Sequence, residues 1–370
     1  MTHRGDSGKY HVLFGYNDGR IFSRRTLFMN HYSTDEAYQK HILTGVSRTF
    51  ALTIPQLPAD LYTVVGNAYL LCRIADTIED EPQLTPAQKQ LFSQQFIHVV
   101  AGTEPPQPFS DQLLPLLSSS TTPAEKDLIL HTNHVIRLTH SFTATQQISL
   151  HRCVSIMAEG MSVFQQSNTL AGLQDVTELN RYCYYVAGVV GEMLTDLFCE
   201  YSPDIAKNRQ ILQPLAVSFG QALQMTNILK DIWDDRSRGA CWLPQTVFQQ
   251  AGFDIRQLDT TSYSPAFGDG LQYLIGIAHY HLIQSLHYIL LIPPKETGIR
   301  RFCLWALGMA ILTLRNINQH PQFTSGQQVK ISRRWVKATL LISNLSVKSN
   351  ITLRTLFYLL TRGLPAPHVS

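Results

Sequence analysis

Tyr69-Leu-Leu-Cys-Arg73-Ile-Ala-Asp76-Thr-Ile-Glu79-Asp80 and Gln224-Met-Thr-Asn227-Ile-Leu-Lys230-Asp231-Ile-Trp-Asp234-Asp235 are the two stretches that decide the fold. Each runs apolar residues at helical spacing straight into a knot of acid. The acidic windows 76–81 and 231–235 hold seven of the chain's 27 acids, where even scatter would leave about one. Positions i and i+4 share a helix face, about 6 Å apart along the axis, so Asp76 with Asp80 and Asp231 with Asp235 point two carboxylates the same way. Like charges gathered beside an apolar interior repel and lose hydration, so they need cations.

Outward from these stretches, helical periodicity continues and strand-type alternation is hard to find. Helices are predicted over 35–46, 60–81, 86–101, 124–139, 144–167, 174–200, 207–236, 264–292, 297–319, 332–345 and 350–362, which makes the chain all-α. Several are long and apolar on most faces, as in a bundle with an interior. The Pro-rich stretch from Glu104 to Pro123 reads as a surface loop. The expected organisation is a tail over 1–33, one helical domain over 34–345, and a C-terminal amphipathic helix and tail over 346–370. That last helix either covers the bundle or meets a membrane surface.

Composition narrows the function classes. The 370 residues are 44% hydrophobic and 15% charged, against about 25% charged in an average soluble domain, so a large interior is expected and disorder is excluded. A formal charge of +3 gives no case for nucleic acid. Six scattered cysteines without a CxxC pair read as reduced core thiols of a cytoplasmic protein. Met1 to Asn30 has no apolar run of the signal-peptide kind. Cys303 to Leu314, the longest apolar run, is too short to span a bilayer and reads as a buried helix. HExxH, GxSxG and Walker signatures are absent, which leaves protease, esterase and NTPase readings without support.

Two facing acidic helix ends suit hard divalent ions, and Mg²⁺ typically takes one or two carboxylates together with substrate phosphates. Such ions would let a diphosphate approach the acids and leave as an anion. Arg73, Asn227, Lys230, Arg236 and Arg238 lie beside the clusters; as a group they fit phosphate, while each alone fits ordinary i,i+4 pairing.

These residues resemble the head-to-head trans-isoprenyl diphosphate synthases, the squalene and phytoene synthases. Ser47-Arg48-Thr49-Phe50 resembles the family's S-R-x-F motif, and Tyr69 to Asp80 its first aspartate-rich motif. Tyr182-Cys-Tyr-Tyr185-Val186-Ala187-Gly188-Val-Val-Gly191 is similar to the Y-C-x-Y-V-A-G-x-V-G segment, and Gln224 to Asp235 to the second acidic motif. The resemblance implies a single-domain isoprenoid synthase helical bundle with a central cavity. It also implies two farnesyl diphosphates joined head to head through a cyclopropyl intermediate, presqualene diphosphate. Asp76, Glu79, Asp80, Asp231 and Asp235 would then bind Mg²⁺ or Mn²⁺. Ser47, Arg48, Phe50, Tyr69, Arg73, Gln224, Asn227, Lys230 and Phe302 would contact substrate, Tyr182, Val186, Ala187 and Gly188 would line the cavity, and Tyr182 would also assist the cation steps.

Within the family, the C-terminal third leans toward squalene synthase. Phe302-Cys303 followed by Met309-Ala-Ile-Leu-Thr313-Leu, then Val329-Lys330-Ile-Ser-Arg333-Arg334, resembles the squalene synthase pattern in which a basic loop helps hold NADPH. Lys330, Arg333 and Arg334 are the implied dinucleotide contacts, with Ser332 standing where the family usually has Arg. No Rossmann fingerprint is present. After Arg236-Ser-Arg238-Gly239 the chain reads Ala240-Cys241-Trp242, without the second Arg usual in phytoene synthases. The alternatives are a dehydrosqualene or phytoene synthase that makes its product without NADPH, and a non-catalytic helical assembly factor, against which all the expected acids are present.

Overall fold

The computed structural model describes residues 34–47, 49–165, 170–259 and 263–369. Twelve of its helices are labelled here: α1 (Asp35–Val46), α2 (Ala59–Asp80), α3 (Pro86–Ala101), α4 (Ala144–Gln165), α5 (Val176–Cys183), α6 (Val189–Tyr201), α7 (Arg209–Lys230), α8 (Ile232–Ser237), α9 (Pro265–Leu291), α10 (Thr297–Gln319), α11 (Arg333–Ser346) and α12 (Asn350–Thr361). Among the described residues there is no strand; one isolated bridge joins Leu173 to Pro244.

Local chemistry sets the boundaries. Thr34 caps α1 by accepting from the Ala37 amide at 3.1 Å. Thr85 and Gln88 form a reciprocal capping box at the start of α3, with Pro86 in its first turn, and Gly102 closes that helix at φ 78°. Helix α2 ends at Asp80, with Glu81 and Pro82 beyond it. Glu81 differs from the acids before it. It is 1% exposed and accepts from the Gln83 amide, the Ser118 amide and the Thr121 hydroxyl at 2.7 to 2.9 Å. Burial pushes its pKa up, but these bonds outweigh that and hold it below the ordinary value. It ties the loop to the bundle.

Four expectations need correction. Glu104 to Pro123 is not a plain loop: it contains a helix over Pro106–Leu113 that buries Phe109 and Leu113, with the Phe109 ring stacked 5.4 Å from Phe96. Pro105 and Pro106 start that helix, where the missing N–H costs nothing. The helix expected over 124–139 breaks at His131, whose Nδ1 turns 3.0 Å from the Asp127 carboxylate. The one expected over 174–200 is split by a π-helical turn, Tyr184–Gly188. The one expected over 207–236 is interrupted at Asp231 (φ −99°, ψ 13°) before α8 begins.

Helix α7 is the central rod. It packs against α6, the π turn, α9 and α10, while α4 closes the other side against α2 and α3. Helices α9 and α10 are long and apolar enough to cross a membrane, but 67% and 78% of their apolar windows are buried inside the bundle. They are core helices, and Cys303 to Leu314 lies within α10. All six cysteines are free and buried. Arg300 of α10, fully buried, donates to the carbonyls of Ile289 and Val347 and to Asn350 Oδ1, which pins the α11–α12 junction to the core.

The π turn meets α7 backbone to backbone. A Cβ on Gly220 would fall 2.3 Å from the Ala187 carbonyl oxygen, and one on Gly191 2.2 Å from that of Ala216. Only glycine permits this approach. Gly220→Ala is therefore expected to cost about 1–3 kcal/mol of unfolding free energy, seen as a lower urea midpoint and measured against Ala222→Gly as a control for helix propensity; an unchanged midpoint would show that the contact relaxes freely.

Candidate active site

The close approach of α7 and the π turn leaves a cavity of about 290 Å³ beside it, bounded by α2, α4, α6, α7, α9 and α10. On α2 the lining runs from Val65 to Asp76, and on α7 from Ala216 to Asn227. Twelve residues of helix in each case span a depth of about 16 Å. Most of the wall is apolar, including Met157, Phe198, Phe219, Leu223 and Phe302. The polar residues Arg73, Asp76, Gln224 and Asn227 gather where α2 and α7 end.

Nine of the expected residues line this one space: Phe50, Tyr69, Arg73, Asp76, Val186, Ala187, Gln224, Asn227 and Phe302. Tyr69 is fixed at both ends of its hydroxyl, donating to the Val46 carbonyl at 2.9 Å and accepting from Arg73 Nη2 at 3.1 Å. Arg73 also reaches Glu125 at 3.7 Å and Asp76 at 4.0 Å. Its Nε is buried without a partner, an orphaned donor at the mouth.

The acids are short of positive charge. Burial among protein atoms pushes Asp76 up to about 6, with repulsion from Asp80 and Glu125 adding to it and Arg73 opposing. Glu79 is raised by burial and then by Asp80 and Asp76. Across the gap, burial takes Asp235 up to about 6 although Arg238 bonds it at 2.5 Å. Arg238 also lies 3.9 Å from Asp80, so one guanidinium spans the two acidic ends. On the α7 side, Lys230 pairs with Asp231 at 2.9 Å and contacts Asn227 Oδ1 at 3.5 Å. The break at Asp231 separates these roles: Asp235 turns inward at 7% exposure while Asp234 faces out.

Tyr182 does not line the cavity. Its ring stacks on Trp242 at 4.0 Å and 8°, with Phe164 edge-on at 5.3 Å. Burial raises its pKa well above the ordinary value, and the charges of Glu79, Asp80 and Asp235 raise it further, which puts its hydroxyl within the field of both acidic ends.

Other expected residues lie elsewhere. Ser47 is buried and accepts the Phe50 amide at 2.9 Å, capping the short helix Phe50–Thr53. Gly188 faces Tyr184 and Val217. Arg48 lies outside the described residues. Lys330, Arg333 and Arg334 are exposed, beyond a turn (Gly326–Val329) that sits on the second acidic end: a Cβ on Gly326 would be 3.2 Å from Asp231 Oδ1. Ser332 caps α11 by accepting the Trp335 amide, a use for the residue that replaces the expected Arg. The sequence reading missed Lys89, whose ammonium donates to the Glu79 carbonyl, and Glu125, whose only signal was its place in the Thr122 capping box.

Carboxylate oxygens are the donors Mg²⁺ and Mn²⁺ favour, and the raised pKa values of Asp76, Glu79, Asp80 and Asp235 mark the place as deficient in cation. Among the described residues no three His, Cys, Asp or Glu close on a single point tightly enough to hold an ion. The donor set therefore fits ions that complete their shell with water and substrate oxygens, and does not fit a sealed cage.

A helical bundle with an apolar well between two acidic helix ends is the isoprenoid synthase fold. The family model for squalene/phytoene synthase matches residues 43–335, and the chain belongs to that family. A squalene synthase of Cochliobolus lunatus is 32% identical over 224 residues, 60% of this chain and 50% of that protein. The chain thus spans about half the length of that curated relative. A solved structure of TcSQS with the ligand BPH1237 shares the fold with a TM-score of 0.68 at 22% identity, covering 88% of this chain and 91% of that one. A dehydrosqualene synthase in complex with ligand gives 0.59 at 20%, covering 86% and 96%.

The raised pKa values carry a stability prediction. An acid whose folded pKa is about 6 against 3.8 unfolded lowers stability as pH rises from about 4 through 6, and the loss persists above that. In metal-free buffer at neutral pH, Asp76→Asn and Asp235→Asn should each melt about 1–3 °C above the parent, the gain vanishing near pH 4. Thermal melts at both pH values check this; variants that melt lower at neutral pH would refute the desolvation argument.

Proposed function

We propose that the chain is a squalene synthase, joining two farnesyl diphosphates head to head into presqualene diphosphate and then reducing that intermediate with NADPH to squalene. The observation that carries the reading is the deep apolar cavity whose polar mouth is shared by the acidic ends of α2 and α7. An allylic cation formed at that mouth would meet carbon and aromatic faces on the inner side, and little water.

Arg73, held by Tyr69 and carrying an unpartnered Nε, would orient one diphosphate, with Asn227 and Lys230 doing the same from α7. Asp76, Glu79, Asp80, Asp231 and Asp235 would hold Mg²⁺ or Mn²⁺, whose charge would stabilise the departing diphosphate. Phe50, Phe302, Val186 and Ala187 would exclude water along the prenyl chains. Tyr182, buried against Trp242 with its pKa raised, would remain a neutral phenol whose hydroxyl dipole lies in the field of both acidic ends. Lys330, Arg333 and Arg334 would hold the phosphates of NADPH, the hydride donor. Two arginines in the first turn of α11 oppose the helix dipole, a cost that an anionic ligand would offset.

Pure protein incubated with farnesyl diphosphate and Mg²⁺ should accumulate presqualene diphosphate or dehydrosqualene without NADPH, and squalene with it. Dehydrosqualene as the end product in both samples would assign the unreduced reaction instead. Asp235→Asn should lower turnover about 10²-fold or more, and Arg333→Ala with Arg334→Ala should raise the KM for NADPH and leave presqualene diphosphate formation intact.

A further inference from the structure

The outer faces of α11 and α12 reverse the usual order of burial. Ser343 and Ser346 are buried, while Leu345 on the same helix is 80% exposed and Leu341 62%. Ile342 and Trp335 complete the stripe, and the four fall within an arc of about 120° around the helix. Helix α12 does the same with Ile351 at 80% and Tyr358 at 68%. Scattered exposed leucines need no explanation, but a contiguous set on two successive helices does.

Charge says what the set faces. From residue 297 to 370 the chain has no Asp or Glu. Lys337 on α11, Lys348 in the connecting turn, Arg354 on α12 and Arg362 just beyond it are all exposed, and none is paired with a carboxylate among the described residues. Apolar side chains rimmed by unopposed cations are the make-up of an interfacial helix on anionic lipid. The groove between α11 and the bundle is about 70 Å³, too small to seat a partner's helix or a drug-sized ligand. The platform is also anchored: Arg300 holds the α11–α12 junction, and Arg315 donates to the Leu360 carbonyl at 2.8 Å.

We infer that the α11–α12 face is a docking surface for an anionic lipid bilayer, with the apolar side chains entering the headgroup region and the four cations meeting lipid phosphates. Helix α10 is shared between this face and the cavity: Phe302, Cys303 and Ala306 line the cavity, and Leu304, Leu307 and Ile311 line the groove. Docking would set the bilayer one helix away from the apolar well.

The deciding readout is vesicle binding, which does not depend on the proposed reaction. The full chain is mixed with sedimenting vesicles of phosphatidylcholine alone or of phosphatidylcholine with phosphatidylserine. Binding is expected to the phosphatidylserine vesicles, to fall as salt rises, and to be weak on phosphatidylcholine alone. Leu345→Glu with Ile351→Glu, and separately Lys337→Glu with Arg354→Glu, should each weaken it at least about tenfold, with circular dichroism and melting temperature at parent values. Absence of binding by the parent chain, or variants that bind as well as it does, would overturn the inference. So would a parent dimer in sedimentation that Leu345→Glu dissociates while vesicles are ignored, because the face would then join two copies of the chain.

Discussion

Desolvated carboxylates at the rim of an apolar well are the constraint around which the rest of the bundle is arranged. Asp76 and Asp235 sit where protein atoms displace water, so each is harder to ionise than a surface aspartate, and their neighbours of like charge make it harder still. The chain supplies only part of the compensation. Arg73 stands 4.0 Å from Asp76, Lys89 is committed to the Glu79 carbonyl, and Arg238 must serve Asp80 and Asp235 together. A fold that wanted only stability would replace these acids. Keeping them leaves the mouth of the well short of positive charge.

Glu81 shows by contrast what a purely structural acid looks like here. One residue beyond Asp80, it is more deeply buried by surface area, yet its two oxygens accept from two amides and a hydroxyl and its pKa falls. Burial alone does not separate the two kinds of acid; the supply of donors does. Sequence counting placed Glu81 in the same cluster as Asp76, because spacing along a helix records which way a residue points and says nothing about which loop returns to meet it.

The fold was legible wherever the signal was periodic. Apolar spacing located α2, α3, α9 and α10 to within a residue or two, and the acid windows located the helix ends that carry the site. The reading failed where a helix changed its pitch or where proline misled. The π turn at Tyr184–Gly188 depends on Gly191 and Gly220 letting two backbones touch, a long-range contact with no local signature. The helix at Pro106 was hidden because prolines that end a helix from inside can also begin one. In the site, Val186 and Ala187 line the cavity whereas Tyr182 and Gly188 do not, Lys89 and Glu125 arrive from other helices, and Ser47 turned out to cap a backbone amide.

The low charge content acquires a specific cause once α9 and α10 are seen in place. A helix in a two-layer protein needs one apolar face, but α10 turns Phe302, Cys303 and Ala306 to the cavity and Leu304, Leu307 and Ile311 to the opposite side, so hardly any of its circumference is left for water. Hydropathy alone cannot tell such a rod from a membrane span, and α9 and α10 meet that criterion by length and composition. What distinguishes them is Arg300, a fully buried cation at the start of α10 that is satisfied by two carbonyls and an amide oxygen from the ends of other helices. That network needs a packed protein around it on every side, and it fixes α10 as the wall dividing the well from the outer helices.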